Sequence, residues 1–250
     1  MKPFLEWQTA TVKAIRPETP DVKTFTLSLP AWTPHRAGQH YHVRLTAPDG
    51  HKAHRSYSVA SEPERTGEID LTVERIEAGK VSPYFHDVLV PGDAIEVRGP
   101  IGGDFVWEAS RREPLLLVAG GSGVVPLMSM LRHRAAIRAM GPVRLLYSSR
   151  MFEDIIYYDE LARLQDDQAG LAVFHTLTLS HPAGWEGYTR RIDQAMLAEV
   201  ARPLGRSLQA YVCGSTQLVE SVSDALMRLG LQPAQICTER FGPANLPQDA

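Results

Sequence analysis

The feature that most constrains the fold of this chain is a change of hydrophobic period near residue 110. Before it, short runs rich in Val, Ile, Thr and Tyr recur at residues 11–15, 22–29, 41–45, 56–60, 69–75 and 94–99. Several of these alternate apolar and polar residues, as strands with one buried face do. Pro-Asp-Gly at 48–50 and Pro-Gly-Asp at 91–93 supply turns between them. Short strands at this spacing predict an antiparallel β-barrel or sandwich. Only residues 82–88 read as helical here, with Ser82 as N-cap and Pro83 at the first helical position.

After Arg111-Arg112-Glu113-Pro114 the pattern is different. Residues 115–119 are unbroken apolar, as in a parallel strand buried on both faces. A glycine loop and a helical stretch over 125–140 follow. Strands at 143–148, 171–179 and 210–213 then alternate with helices at 159–165, 193–201 and 216–229. Such alternation predicts a doubly wound parallel sheet with helices on both faces. The chain therefore divides into domains at 1–110 and 111–250. At 250 residues each half is large enough for its own core.

Composition excludes several function classes. Lys plus Arg is 26 against 29 for Asp plus Glu, a net charge of −3, so no strong basic field exists to hold nucleic acid. With 44% hydrophobic and 22% charged residues the chain is an ordinary globular one. Residues 1–10 lack the apolar core and cleavage site of a secretion signal. The apolar runs fall far short of the ~20 residues that cross a bilayer. The expectation is a soluble, cytoplasmic monomer without membrane insertion, ending in a loose tail at 247–250. Cys213 and Cys237 are the only cysteines, too few for an iron–sulfur cluster with four thiolate ligands.

Two segments carry chemistry. Residues 115–126 (LLLVAGGSGVVP) run a buried strand through Gly120, Gly121 and Gly123 into a helix. Glycines admit close backbone approach, and the helix start offers unpaired N–H groups, which together suit a pyrophosphate. The segment is not G-x-G-x-x-G, and a purely structural strand-to-helix turn is the alternative. In the first half, Arg55-Ser56-Tyr57-Ser58 lies on a strand. Arg55 and Tyr57 share one face, and Ser56 and Ser58 the other. An arginine forks onto phosphate oxygens and a tyrosine stacks on a flat ring. The alternative is a salt-bridged arginine beside a core tyrosine.

Taken in order, five motifs make the chain resemble the ferredoxin–NADP reductase superfamily from about residue 7 to 243. They are Arg55-x-Tyr57-Ser58, Gly79-Lys80-Val81-Ser82, Gly120-Gly121-Ser122-Gly123-Val124-Val125-Pro126, Cys213-Gly214 and Glu239-Arg240-Phe241. It is most similar to stand-alone reductases related to the electron-transfer components of bacterial oxygenases. The resemblance implies a Greek-key barrel holding FAD and a nucleotide-binding α/β domain. It casts Arg55 on the flavin pyrophosphate, Tyr57 stacked on the isoalloxazine and Ser58 near its N5. Ser56 and Val73, in Val73-Glu74-Arg75, accompany them on the flavin strands. Gly79, Lys80, Val81 and Ser82 would take the FAD pyrophosphate. Gly121, Ser122 and Gly123 would take that of the nicotinamide cofactor. Cys213 and Gly214 would lie beside the nicotinamide, with Glu239 and Phe241 closing the site and Glu239 aiding proton movement. Tyr57, Ser58, Cys213 and Glu239 are the implied catalytic residues.

Ser149 and Arg150 follow the second strand of the nucleotide domain, and Arg191 lies beside Arg190. Arginines there accommodate a 2′-phosphate, which favours NADPH with NADH as the alternative, although Asp154 lies close by. His40-x-His42 puts two imidazoles on one strand face, read as solvent-facing because no third ligand follows at motif spacing. Arg111-Arg112 reads as a solvated linker. The implied activity is hydride transfer from NAD(P)H to FAD, then single electrons to a separate ferredoxin, flavodoxin or oxygenase component. Alternatives are a flavin reductase releasing free reduced flavin, and a non-catalytic nucleotide-binding regulatory subunit.

Overall fold

The computed structural model describes residues 6–46 and 50–241. Pro48 and Asp49 of the first turn and the 247–250 tail lie outside the described residues. In the first half, β1 (Gln8–Thr19), β2 (Val22–Ser28), β3 (His40–Thr46), β4 (Lys52–Ser58), β5 (Glu68–Glu74) and β6 (Ala94–Ile101) form one sheet. The order is β4-β3-β6-β1-β2-β5, and every pairing is antiparallel. Val59, just past β4, bridges Leu71 of β5, so the two sheet edges meet and close a barrel.

Alternation fills the barrel. On β3, Tyr41 and Val43 point into a core with Phe25, Leu27, Ile69, Leu71 and Val97, while His40, His42 and Arg44 take the outer face. Helix α1 (Ser82–Asp87) adds Phe85, whose ring meets Phe25 edge-on at 4.8 Å between centroids. Two local expectations need correction. The fourth strand covers 52–58 rather than 56–60, because Lys52, Ala53, His54 and Arg55 stay in register with β3 despite their polarity. Ser82 does not cap α1. Val81 is the N-cap, and the Ser82 hydroxyl instead accepts the Ile76 N–H at 3.0 Å, closing the preceding loop.

In the second half β7 (Leu115–Gly120), β8 (Val143–Ser149), β9 (Leu171–Leu177), β10 (Gln209–Ser215) and β11 (Ile236–Phe241) run parallel in the order β11-β10-β7-β8-β9. The unbroken apolar run of β7 is explained by its two covered faces. Leu115, Leu117 and Ala119 pack toward α2 (Val124–Ala136) and α3 (Tyr158–Asp167). Leu116 and Val118 pack toward α4 (Gln194–Ala201) and α5 (Thr216–Arg228). Strand β11 is the element that the sequence pattern missed. It is an edge strand with no fully buried residue, so it carries no apolar run.

This strand order has its switch point between β7 and β10, and ligands of such sheets bind in the crevice beyond the strand ends there. That crevice faces the barrel. Ala37, Ala60, Phe105 and Trp107 of the barrel share one apolar core with α2 and β7. Polar bonds hold the same interface: Ser129 donates to the Ser61 carbonyl at 2.7 Å, Arg132 to the Ala60 carbonyl at 2.8 Å and Tyr211 to the Val106 carbonyl at 2.9 Å.

Candidate active site

Between barrel and sheet lies a cleft of about 510 Å³. Its barrel wall is Arg55, Glu74 and the loop 76–82. Its opposite wall is Gly120, Gly121, Ser122, Gly214, Ser215 and Phe241, from the ends of β7, β10 and β11. That volume is in the range of small-molecule and cofactor sites.

On β4, Tyr57 pairs with Tyr41 across the ladder and leans its ring on Phe85, 5.3 Å between centroids. Burial pushes its phenol well above the ordinary range, so the ring is a neutral, flat surface. Arg55, two residues earlier on the same face, is exposed on the cleft wall and donates to the His54 carbonyl at 2.8 Å. Ser58 is buried with no hydrogen-bond partner for its hydroxyl among the described residues. A buried orphan hydroxyl is one that a polar ligand would satisfy, although of β4 only Arg55, and neither Tyr57 nor Ser58, is a cleft-lining residue. Ser56 faces the other way, paired with His42 and outside the cleft wall.

Val73 is fully buried in the barrel core, and the neighbouring Glu74 takes the cleft position instead. Strand alternation permits only one of the two to face out. In the loop that follows, Gly79, Lys80, Val81 and Ser82 all line the cleft. The Gly79 N–H is not available to a ligand, since it donates to the Ile76 carbonyl at 2.8 Å.

Across the cleft, Gly121 adopts φ 54°, and Gly121–Gly123 forms a single 3-10 turn ahead of α2. Gly123 is closely packed, since a Cβ there would lie 2.3 Å from the Cys213 carbonyl oxygen. The turn presents backbone amides and the Ser122 hydroxyl to the cleft, a fitting anion site. Cys213 itself is fully buried, and burial pushes its thiol well above the usual range, so it is an inert packing group behind the wall. Beside it in register stands Glu239 of β11. Burial pushes the Glu239 carboxyl up to about 7, and its Oε2 has no hydrogen-bond partner among the described residues.

The residues expected at the adenosine end lie outside this cleft wall. Ser149 ends β8 and is buried, and its carbonyl accepts the Thr178 N–H at 3.0 Å. Arg150 is 67% exposed and pairs with Asp154 at 3.3 Å. Arg190 pairs at 2.7 Å with Asp193, the N-cap of α4, whereas Arg191 is exposed. His40 and His42 are half-buried rather than solvent-facing. Their rings stack at 5.5 Å, His54 lies 6.1 Å from His42, and Arg98 covers the His42 Nδ1 at 3.1 Å. Burial, together with the neighbouring His40, Arg98 and His54 charges, lowers His42 to about 4. Gly120 and Glu74, named within the glycine loop and the Val73-Glu74-Arg75 strand, both line the cleft, and the lining residues that sequence reasoning left out are Ile76, Ala78 and Ser215.

A closed barrel beside a doubly wound sheet, with an arginine–tyrosine strand facing a glycine turn, is the layout of a flavin- and nicotinamide-dependent oxidoreductase. Comparison with known proteins gives the same class. Residues 9–107 match the family model "Oxidoreductase FAD-binding domain" and residues 117–224 match "Oxidoreductase NAD-binding domain". Ferredoxin–NADP reductase B of Sorangium cellulosum is 35% identical over 211 residues, covering 82% of this chain and 84% of that protein. The glycine betaine monooxygenase reductase subunit of Chromohalobacter salexigens is 31% identical over 95% of this chain but only 65% of its own length. Among solved structures, the flavohem-like FAD/NAD-binding domain of nitric oxide dioxygenase from Vibrio cholerae superposes with a TM-score of 0.85 at 25% identity, covering 94% of this chain and 99% of that one. The chain belongs to the ferredoxin–NADP reductase superfamily. It is an FAD-dependent oxidoreductase with an NAD-binding half. No helix among the described residues is long and apolar enough to cross a membrane.

Proposed function

We propose that this protein takes a hydride from NAD(P)H onto FAD and passes electrons singly to a separate acceptor, with NADPH preferred. The observation that carries this reading is one cleft lined by Arg55 and the 76–82 loop on one side and by Gly120, Gly121 and Ser122 of the glycine loop on the other. The relatives named above supply the direction of the chemistry, since one is a ferredoxin–NADP reductase and another a monooxygenase reductase subunit.

The residues present fit the flavin. Arg55 offers a cation for its phosphates, Tyr57 a flat ring, and Ser58 a hydroxyl that needs a partner. When bound, FAD accepts a hydride at N5 and releases electrons one at a time, chemistry that no side chain performs. The protein's part is orientation and proton handling. Tyr57 and Ser58 fix the ring position, and the 80–82 segment holds the phosphate end. The Gly121–Gly123 amides would hold the dinucleotide pyrophosphate, with Gly214 of β10 lining the same cleft and packed close to the Gly120 backbone. Cys213 sets the floor of that pocket by packing. Glu239, poised near neutrality, holds or releases a proton beside it. Phe241, lining the cleft from the end of β11, would close the site from the C-terminal side.

We take residues 1–110 as the flavin unit, 111–250 as the dinucleotide unit and the cytoplasm as the location. We take the acceptor to be a ferredoxin, a flavodoxin or an oxygenase component, a reading supported by the ferredoxin–NADP reductase and monooxygenase reductase relatives. Anaerobic reduction with NADPH and with NADH, followed by mixing with ferredoxins and flavodoxins, tests the reading. The expected result is yellow protein that releases FAD on denaturation, bleaches with NADPH and is reoxidised by a carrier protein. Colourless protein that reduces only added free flavin would show a flavin reductase instead. Flavin-loaded protein that no nicotinamide reduces would show a non-catalytic subunit.

A further inference from the structure

One side-chain hydrogen bond crosses this cleft from the barrel to the glycine turn: the Ser122 hydroxyl donates to Glu74 Oε2 at 2.7 Å. Neither residue is free to drift. Glu74 ends β5, where its backbone is in register with Val22 of β2. Ser122 sits between Gly121, in the left-handed region, and Gly123, packed on the Cys213 carbonyl. The bond is therefore set by two rigid elements that are 48 residues apart in sequence.

Its chemistry runs against its surroundings. The turn presents amides and a hydroxyl suited to an anion, and Glu74 aims a carboxylate at that same hydroxyl. A phosphate entering the turn must take the Ser122 hydroxyl from the carboxylate and then lie beside a like charge, which disfavours binding.

We propose that Glu74 is a brake on dinucleotide binding, holding the Ser122 hydroxyl until a dinucleotide phosphate displaces it. Resting on the reading of the turn as the nicotinamide dinucleotide site, this makes Glu74 an affinity-determining residue. It weakens a site that the glycine turn alone would make tight. Oxidised dinucleotide then leaves quickly and clears the cleft before the acceptor is reduced.

The test uses flavin-loaded wild type, Glu74→Gln, Glu74→Ala and Ser122→Ala, titrated to equilibrium with NADP+ and NAD+ and followed by the flavin spectrum. Glu74→Gln keeps an acceptor for the hydroxyl but removes the charge. It is expected to tighten both dinucleotides about tenfold and to slow their release, as removal of a nearby like charge should. The gain should shrink in about 0.5 M salt, where the Debye length is only a few ångströms. A merely structural role for the bond would give no such salt dependence. Glu74→Ala should tighten binding similarly, and it replaces Glu74→Gln if that variant fails to load flavin. Ser122→Ala should leave a smaller gain on adding Glu74→Gln, because the carboxylate is no longer tied to the turn. Wild type that binds dinucleotide while both Glu74 variants bind it equally or more weakly overturns the brake alone. Flavin-loaded wild type that binds neither dinucleotide overturns the site reading as well.

Discussion

The carbonyl of Cys213 closes on Gly123 so tightly that a Cβ at residue 123 would lie 2.3 Å from its oxygen and 2.6 Å from its carbon. Both contacts are backbone atoms of β10, a strand paired on both sides, so neither can swing away as a side-chain end would. This contact sets the distance between the glycine turn and the floor of the cleft. Gly123→Ala is expected to cost about 1–3 kcal/mol of stability, as overpacking does. It should also slow flavin reduction by NADPH at least about tenfold, because a small misplacement of bound reactants is expensive. Thermal unfolding and rapid-mixing reduction on the same preparation check both parts, and an unperturbed rate would remove the turn from the dinucleotide site.

Glu239 makes stability depend on pH in a definite direction. Its folded carboxyl titrates at about 7, against 4.5 for the unfolded chain, because burial disfavours the charged form. Between those values the folded state binds the extra proton, so stability from this group is full below about pH 4.5 and is lost as pH rises through 7. The loss is at most about 3 kcal/mol, and less because the residue is only partly buried. Glu239→Gln should flatten the stability profile over this window and remove a step near pH 7 from the rate of flavin reduction. Urea unfolding at several pH values decides the first point, and a pH–rate profile the second.

Tyr157 ties the nucleotide half to the barrel from behind the cleft. It adopts φ 62°, and its phenol donates to Thr72, which shares a 2.7 Å bond with Thr24, itself donating to Glu18 at 2.6 Å. Tyr157→Phe deletes the donor at one end of this buried chain without leaving an unfilled hole. It should cost about 1–2 kcal/mol, the worth of one buried hydrogen bond. For a chain of this length that lowers the melting temperature by about 2–8 °C. Differential scanning calorimetry would measure it, and an unchanged melting temperature would show that the bond contributes nothing net.

The proposed preference for NADPH rests on Arg150. Its ion pair with Asp154 is 3.3 Å long and the arginine is 67% exposed, so the pair is worth under about 1 kcal/mol. A 2′-phosphate would outbid so weak a partner through bidentate, charge-assisted bonds. Arg150→Ala should raise the KM for NADPH about tenfold and leave that for NADH within about twofold. Asp154→Asn should lower the KM for NADPH. Equal effects of Arg150→Ala on the two cofactors would remove Arg150 from the specificity site.

Much of the fold was legible along the chain. The apolar run of β7 could be read because both its faces are covered, so no position needs a polar residue. Strand β11 could not, since an edge strand with half-buried side chains carries no pattern to read. Ser82 looked like a helix cap because caps are local. Its hydroxyl found the Ile76 N–H six residues upstream instead, a bond that depends on the path of the loop.

The site divides in the same way. Sequence by itself determined which groups are present: Arg55 and Tyr57 two apart on one strand, three glycines at the end of a buried strand, and a serine between them. These follow from side-chain period and local backbone needs, which act over a few residues. Only the tertiary structure decided that Glu74 rather than Val73 faces the cleft and that Ser122 meets it at 2.7 Å. It also decided that Cys213 lies behind the wall and that Glu239 stands half-buried beside it. Those outcomes depend on the phase of one strand, the order of parallel strands and the docking of two domains. Each is set by burial summed over distant elements, and no local pattern encodes that sum.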